Sequence, residues 1–242
     1  MDTFTSMAAS GMQARMETLD ILANNIANSS APGFKADREF YGLYASQESS
    51  SPDTVMPVVE RHWTDFSQGA LTPSGNPFDF ALRGRGFFTA ISPNGPVFTR
   101  NGSFHVSSAG ELVTQEGYKV RAAGGGVIRI DPAKPFTVSA AGAIEQEGQP
   151  AGTIEVVDFK DPTALAKGGH GYFQLGSVDM QPAPASAAEI EQGKLESANF
   201  QPAESAVRLV GVMRQFEMLQ RAVSIGGDMG RRVLDEVAKA TP

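Results

Sequence analysis

The sequence predicts a mainly β protein with terminal α-helices: an antiparallel β domain inserted between N- and C-terminal helices that pack as a coiled-coil-like bundle. Three observations carry this. Residues 4–28 contain no proline and a single glycine, and their apolar residues repeat at helical steps. From about residue 78 to 176 the apolar residues come instead in short runs cut by glycine-containing turns. Beyond Pro202 the helical steps return.

In the first segment Met12, Met16, Leu19, Leu22 and Ile26 recur at steps of three or four, one face of a helix. A second face is small: Ala8, Gly11 and Ala14 let another backbone come close. The helix stops at Asn28-Ser29-Ser30-Ala31-Pro32-Gly33, where Pro32 removes a donor and disfavours helix at Ala31.

In the middle, Gly86-Phe87-Phe88-Thr89-Ala90-Ile91 is followed by the turn Pro93-Asn94-Gly95-Pro96 and then Val97-Phe98-Thr99-Arg100. Asn101-Gly102, a strong short-range hairpin signal, leads into Phe104-His105-Val106. Further strands are expected at 111–113, 118–120, 127–130, 136–138 and 153–157. Close spacing with turn residues between strands indicates an antiparallel all-β domain, and the absence of βαβ alternation argues against a nucleotide-binding doubly wound sheet.

At the C-terminus Pro202, Glu204 and Ser205 suit a first turn. Leu209, Met213, Phe216, Leu219 and Val223 then follow at steps of four, three, three and four, close to a heptad seam that Gly226-Gly227 interrupts. The expected organisation is an N-terminal helix over 1–34, a connector over 35–74, the β domain over 75–180, a second connector over 181–200 and the C-terminal helix over 201–242. Val55 to Val59 and His62 to Phe66 are possible short strands within the first connector.

Composition narrows the function. A formal net charge of -7 argues against nucleic acid, whose phosphates reward clustered lysine and arginine. Without a cysteine there are no disulfides, thiolate metal sites or cysteine nucleophiles. The N-terminus lacks the pattern of a secretory signal, since Asp2 stands where positive charge belongs. No stretch reaches the roughly 20 apolar residues that span a bilayer, so no membrane insertion is expected.

Candidate chemistry is thin. Gly84-x-Gly86 and Gly124-Gly125-Gly126 lack the strand–glycine–helix setting of a phosphate loop and read as turns or bulges. His62, His105 and His170 are scattered, without carboxylates at metal-ligand spacing. Asp158, Asp161, Asp179, Glu145 and Glu147 sit in strand-end or turn contexts rather than in a catalytic pair. No catalytic, cofactor-binding or metal residue is assigned, and no cofactor is expected.

Five motifs in order carry a resemblance. Ala8-Ala9-Ser10-Gly11-Met12, Leu19 through Asn28 and Pro32-Gly33-Phe34-Lys35 form the first. Gly75-Asn76-Pro77-Phe78-Asp79-Phe80-Ala81 with Gly84-Arg85-Gly86-Phe87-Phe88 is the second. Phe98 through Phe104, Gly110 through Tyr118, and Gln192 through Asn199 complete the set. Together they resemble the flagellar basal-body rod protein family over nearly the whole chain. Arg214-Gln215-Phe216-Glu217-Met218 is more similar to the proximal-rod branch than to the distal-rod branch.

The resemblance implies a structural subunit that assembles with other rod and hook-family proteins and with copies of itself. It also implies a place in the periplasm-spanning basal-body rod, reached through the flagellar export apparatus without a cleaved signal peptide. Its partner interface would be the two helical seams: Met12, Met16, Leu19, Leu22 and Ile26, with Leu209, Met213, Phe216, Leu219 and Val223. Asn24, Asn25 and Asn28 would fix register, because a buried amide must find its hydrogen-bond partners. The terminal segments, lacking a guaranteed partner within one chain, are expected to be largely disordered in the free monomer. Two rivals are a secreted β-rich wall-acting hydrolase and a distal-rod or hook-type subunit.

Overall fold

The computed structural model describes residues 2–45, 55–176 and 180–240. The chain divides into two compact units, one of Met1–Ala27, Asp37–Thr64 and Gln201–Pro242, the other of Asn28–Ala36 and Asp65–Phe200. The architecture is mainly β, its strands antiparallel, with one long helix near each end.

The first unit holds α1 (Asp2–Ala27), the hairpin strands β1 (Asp37–Ala45) and β2 (Val55–Thr64), and α2 (Pro202–Ala240). α1 lies along α2 and also packs on β2. The expectation of unpaired terminal segments is thereby corrected: both are helical, and each gives the other a surface within one chain. α2 begins at Pro202, whose fixed φ and missing N–H suit a first helical position, and Glu204 lies in the first turn. Gly226-Gly227 does not end it, because flanking helical turns absorb the modest cost of each glycine. The segment read as a connector over 35–74 thus contains a long hairpin, with Asp37 opposite Thr64, Ala45 opposite Val55 and a bulge between Phe40 and Tyr41. The two short strands expected there are one continuous strand, and Phe66 lies beyond it.

The strands of the second unit are short. In chain order they are β3 (Leu71–Pro73), β4 (Phe80–Arg83), β5 (Phe87–Ser92), β6 (Gly95–Thr99), β7 (Phe104–Val106), β8 (Leu112–Thr114), β9 (Lys119–Val120) and β10 (Phe136–Val138). There follow β11 (Ala143–Gln146), β12 (Gln149–Thr153), β13 (Val156–Asp158), β14 (Leu165–Lys167), β15 (Tyr172–Leu175), β16 (Ala183–Pro184), β17 (Glu189–Gln192) and β18 (Lys194–Glu196). The main sheet runs β14-β15-β6-β5-β9-β8-β7, with β13 also on β5 and β16 on β13. Strands β10, β11 and β12 form a separate meander.

β5 explains its own sequence. Successive side chains of a strand point to opposite faces. Phe88 joins a cluster with Phe80, Leu82, Phe104, Leu112, Ile128 and Ile144, while Phe87 joins another with Phe98, Phe159, Leu165 and Phe173. Both faces are buried, so the strand reads as a run of apolar residues rather than an alternation. Around Phe87 the rings of Phe66, Phe159 and Phe173 stand 5.6–5.8 Å away, centroid to centroid.

Two expectations change here. Asn101-Gly102 makes no tight hairpin, because β6 pairs with β5 and β15 whereas β7 pairs with β8. Gly102 is needed for close approach instead: a Cβ there would lie 1.7 Å from the Phe80 carbonyl oxygen. Two-residue hairpins occur at Pro93-Asn94, joining β5 to β6, and at Glu147-Gly148, whose two residues are both at positive φ, joining β11 to β12. The second connector is also strand in part. β17 pairs with β4, setting Ile190 opposite Leu82, and β18 pairs with β3, setting Leu195 opposite Thr72. The last strands of the unit thus close on its first.

Candidate assembly surface

α1 buries Ala8, Gly11, Ala14, Thr18, Leu22 and Asn25. These recur at steps of three and four, and their first half is the small-residue face. A Cβ placed on Gly11 would lie 3.4 Å from Leu219 Cδ1, so the glycine lets α2 approach α1 at ordinary contact distance. Thr18 Oγ1 donates to the Ala14 carbonyl at 2.9 Å, which lets a hydroxyl be buried there.

Of the expected apolar seam, only Leu22 is fully inside. Met12, Leu19 and Ile26 lie half-buried at its border, and Met16 faces out, 54 % exposed. Asn25 holds a register, but within the chain. Its Nδ2 donates to the Asp37 carbonyl at 2.8 Å and its Oδ1 accepts the Asp37 N–H at 3.0 Å, so one amide satisfies the backbone at the start of β1. Asn28 ends the helix, its carbonyl accepting from the Ala31 N–H at 3.0 Å. Asn24 is exposed and lines a hollow of about 510 Å³ with Glu17, Asp20, Ile21, Asp37 and His62.

On α2 the seam also splits. Leu209, Phe216, Leu219 and Val223 are half-buried, with Val212 fully buried on the same side. Met213 points away and is exposed, together with Val207, Val210, Met218, Ile225 and Met229. Val207, Met218, Ile225 and Met229 follow at separations of eleven, seven and four, which return to one side of a helix with 3.6 residues per turn. They form a stripe opposite the side that holds Val212 and Phe216. Exposed Arg214 stands in the same line between Val207 and Met218, and exposed Arg221 stands at its edge. Periodicity does not reveal this row because the inner residues alone keep a heptad-like spacing; the methionine and valine residues between them were the available signal. Arg208 forms an ion pair with Glu39 of β1, whose side chain is otherwise buried.

Elsewhere the geometry is structural. Arg85, between the two glycines, donates to the Phe159 carbonyl at 3.0 Å and lies 3.4 Å from Asp158. Asp158 accepts the Phe159 N–H, and Asp161 accepts the Thr163 N–H and hydroxyl. His62 and His105 are exposed, and His170 occupies a left-handed turn position. Asp179 lies outside the described residues. Among the described residues, no three His, Asp or Glu side chains stand together as a metal-binding set.

A β unit held in the middle of the chain, with long helices near both ends and an outward apolar stripe on one of them, is the plan of an axial structural protein. Three family profiles match in the corresponding places. "Flagella basal body rod protein" covers residues 6–35, "Flagellar hook protein FlgE/F/G D1 domain" covers 81–146, and "Flagellar basal body rod FlgEFG protein C-terminal" covers 191–236. The flagellar basal-body rod protein FlgF of Caulobacter vibrioides is 32% identical over 99% of both chains. That of Mesorhizobium japonicum is 32% identical over 87% of this chain and 88% of its own. The rod protein FlgG of Caulobacter vibrioides is 28% identical over 92% of this chain and 94% of its own. The chain belongs to the flagellar basal-body rod protein family and is a structural rod subunit. The wall-acting hydrolase has no support.

Proposed function

We propose that this subunit polymerises with copies of itself and with other rod and hook-family proteins into a hollow, torque-transmitting shaft, and that it works by packing without catalysis or cofactor. The observation that carries this reading is the outward stripe Val207, Met218, Ile225 and Met229 on a helix whose opposite side is already engaged with α1. Large apolar side chains exposed along one side of a helix are costly in water and mark a place for a partner. In the assembled shaft these residues meet neighbouring helices in coiled-coil-like packing, with Met16 on α1 contributing to the same kind of contact. The other expected interface residues divide. Leu22, Leu209, Phe216, Leu219 and Val223 are buried or half-buried within one subunit, where Leu219 lies against Gly11, whereas Met213 is exposed and free to meet a neighbour. The chain reaches the rod through the flagellar export apparatus, without nucleic-acid binding or membrane insertion.

The test is Met218→Asp and Ile225→Asp in the full chain. Each should leave the circular dichroism spectrum and solubility of the monomer unchanged while abolishing rod assembly and motility in a strain lacking the native gene. Variants that still build rods and swim would overturn the reading.

A further inference from the structure

The β unit exchanges chain with the rest of the protein at Ala27/Asn28, Ala36/Asp37, Thr64/Asp65 and Phe200/Gln201. On its own side, the residues at three of these crossings are tied to one another. Asn199 Oδ1 accepts the Ala36 N–H at 2.9 Å, and its Nδ2 donates to the Asp65 carbonyl at 2.6 Å and the Ser67 carbonyl at 3.1 Å. The Asn199 N–H reaches the Phe34 carbonyl at 3.4 Å, and the Asp65 N–H donates to the Ala36 carbonyl at 2.8 Å.

Three residues earlier, the Glu196 carbonyl accepts the Gly33 N–H at 2.6 Å. The Glu196 side chain is fully buried between two buried cations, Lys35 Nζ at 2.6 Å and Arg100 Nη1 at 3.3 Å, and also accepts the Gly69 N–H at 2.8 Å. Lys35 Nζ donates in addition to the Ser67 carbonyl at 2.6 Å, and Arg100 Nη2 to the Gly84 carbonyl at 2.7 Å. The approach is too close for side chains at two points. A Cβ on Gly33 would lie 2.3 Å from the Arg100 carbonyl carbon, and one on Gly69 would lie 1.9 Å from the Ser197 oxygen.

Direction is the informative part. Gly33 meets Glu196, while Phe34 and Ala36 meet Asn199, so the passages 33–36 and 196–199 run the same way past each other. Tension on the chain before Gly33 and after Asn199 pulls them in opposite senses along a shared line. The hydrogen bonds and the Glu196 ion pairs then bear load together in shear, rather than opening one after another. Buried ion pairs add little to equilibrium stability, but separating them is steep, because the parted charges are neither paired nor hydrated.

We infer that Lys35, Arg100, Glu196 and Asn199 form a mechanical clasp that carries tension between the incoming and outgoing chain and spares the β core. The inference rests on the rod reading only for the origin of the load. The clasp itself is measured on the isolated chain, so the two can fail separately.

The chain has no cysteine, which allows single-molecule pulling from two introduced thiols. Ser30→Cys with Gln201→Cys, both at exposed positions, loads the clasp; Asn94→Cys with Glu145→Cys, also exposed, loads the β core and bypasses it. The unsubstituted clasp should withstand the higher force in the first geometry. Asn199→Ala should raise the rupture rate at constant force at least about tenfold there, equivalent to ~1.4 kcal/mol, and less than about twofold in the second. A higher force in the bypass geometry would overturn the clasp even if Asn199→Ala fails to fold. An equal effect of Asn199→Ala in both geometries, or no effect in the first, would do so as well.

Discussion

The two units of this protein bury their residues in different ways. In the β unit Phe80, Phe88, Leu82, Leu112, Ile128 and Ile144 are wholly enclosed by other side chains of the same chain. In the helical unit the described part of α2 encloses only Val212 and Gly230, and α1 encloses mostly alanine, glycine, threonine and asparagine. One unit spends its large apolar residues on itself. The other turns methionine, valine and isoleucine outward and brings its helices together over small ones. Self-sufficiency and assembly are thus assigned to different residues, and substitutions can separate them.

The largest effects belong to the β unit. Glu196→Gln removes the buried carboxylate that pairs with both Lys35 and Arg100, and the full chain should lose about 3–5 kcal/mol in urea denaturation. Phe88→Ala, which empties the larger cluster beside Phe104 at 5.2 Å, should cost a similar ~3–5 kcal/mol. Loss of less than about 1 kcal/mol in both would show that the β unit is not the self-sufficient half.

An intermediate effect tests the helix pair. Gly11→Ala adds a methyl group at ordinary contact distance and removes a glycine from a helix interior, so thermal unfolding should show a gain of about 0.5–1 kcal/mol. Gly11→Leu overfills the same space and should destabilise by about 1–3 kcal/mol. If both are neutral, the small face does not pack on Leu219.

A smaller effect depends on pH. Burial, reinforced by the hydrogen bond to Glu116, keeps the Tyr172 hydroxyl protonated well above the ordinary tyrosine value of 10.0. The folded state therefore binds this proton more tightly than the unfolded state. Its contribution is present below pH 10.0 and is lost as pH rises beyond that. Tyr172→Phe should flatten the alkaline limb of a stability–pH curve, and an unchanged limb would discount Tyr172 as its source. The smallest effect is expected at exposed Met229, where Met229→Ser should shift monomer stability by no more than about 0.5 kcal/mol.

Much of the architecture was legible. The stop after Asn28, the start at Pro202 and strand β5 follow from proline chemistry and apolar runs that need no knowledge of partners. Contacts between distant residues were harder to read. Residues 181–200 look like a connector because proline, serine, glycine and glutamine are frequent there, yet Ile190 is buried opposite Leu82. Gly102 resembles a turn residue, and only the carbonyl of Phe80, far away in sequence, reveals its purpose. A β domain bounded at 75 and 180 omits Lys35, Asp65, Glu196 and Asn199, which close its polar end. On α1 hydropathy identified the helix, but its apolar seam runs from buried Leu22 to exposed Met16 and so straddles the border of the packed side. The small face Ala8, Gly11 and Ala14 was legible as a surface for another backbone, but only the fold shows that this backbone is α2 of the same chain.

Gly124, Gly125 and Gly126 all adopt positive φ, and a Cβ on any of them would meet nothing within 4 Å. The loop is stitched at its base, by the Gly125 N–H to the Ala122 carbonyl at 2.9 Å, the Ala122 N–H to the Gly126 carbonyl at 3.1 Å and the Ala123 N–H to the Thr153 carbonyl at 2.8 Å. Backbone that no side chain supports can lengthen without disturbing what lies beneath it. This tip is accordingly a natural port for an inserted peptide tag or fluorophore, through which a single subunit could be followed in a living cell while the core and both helices stay as they are.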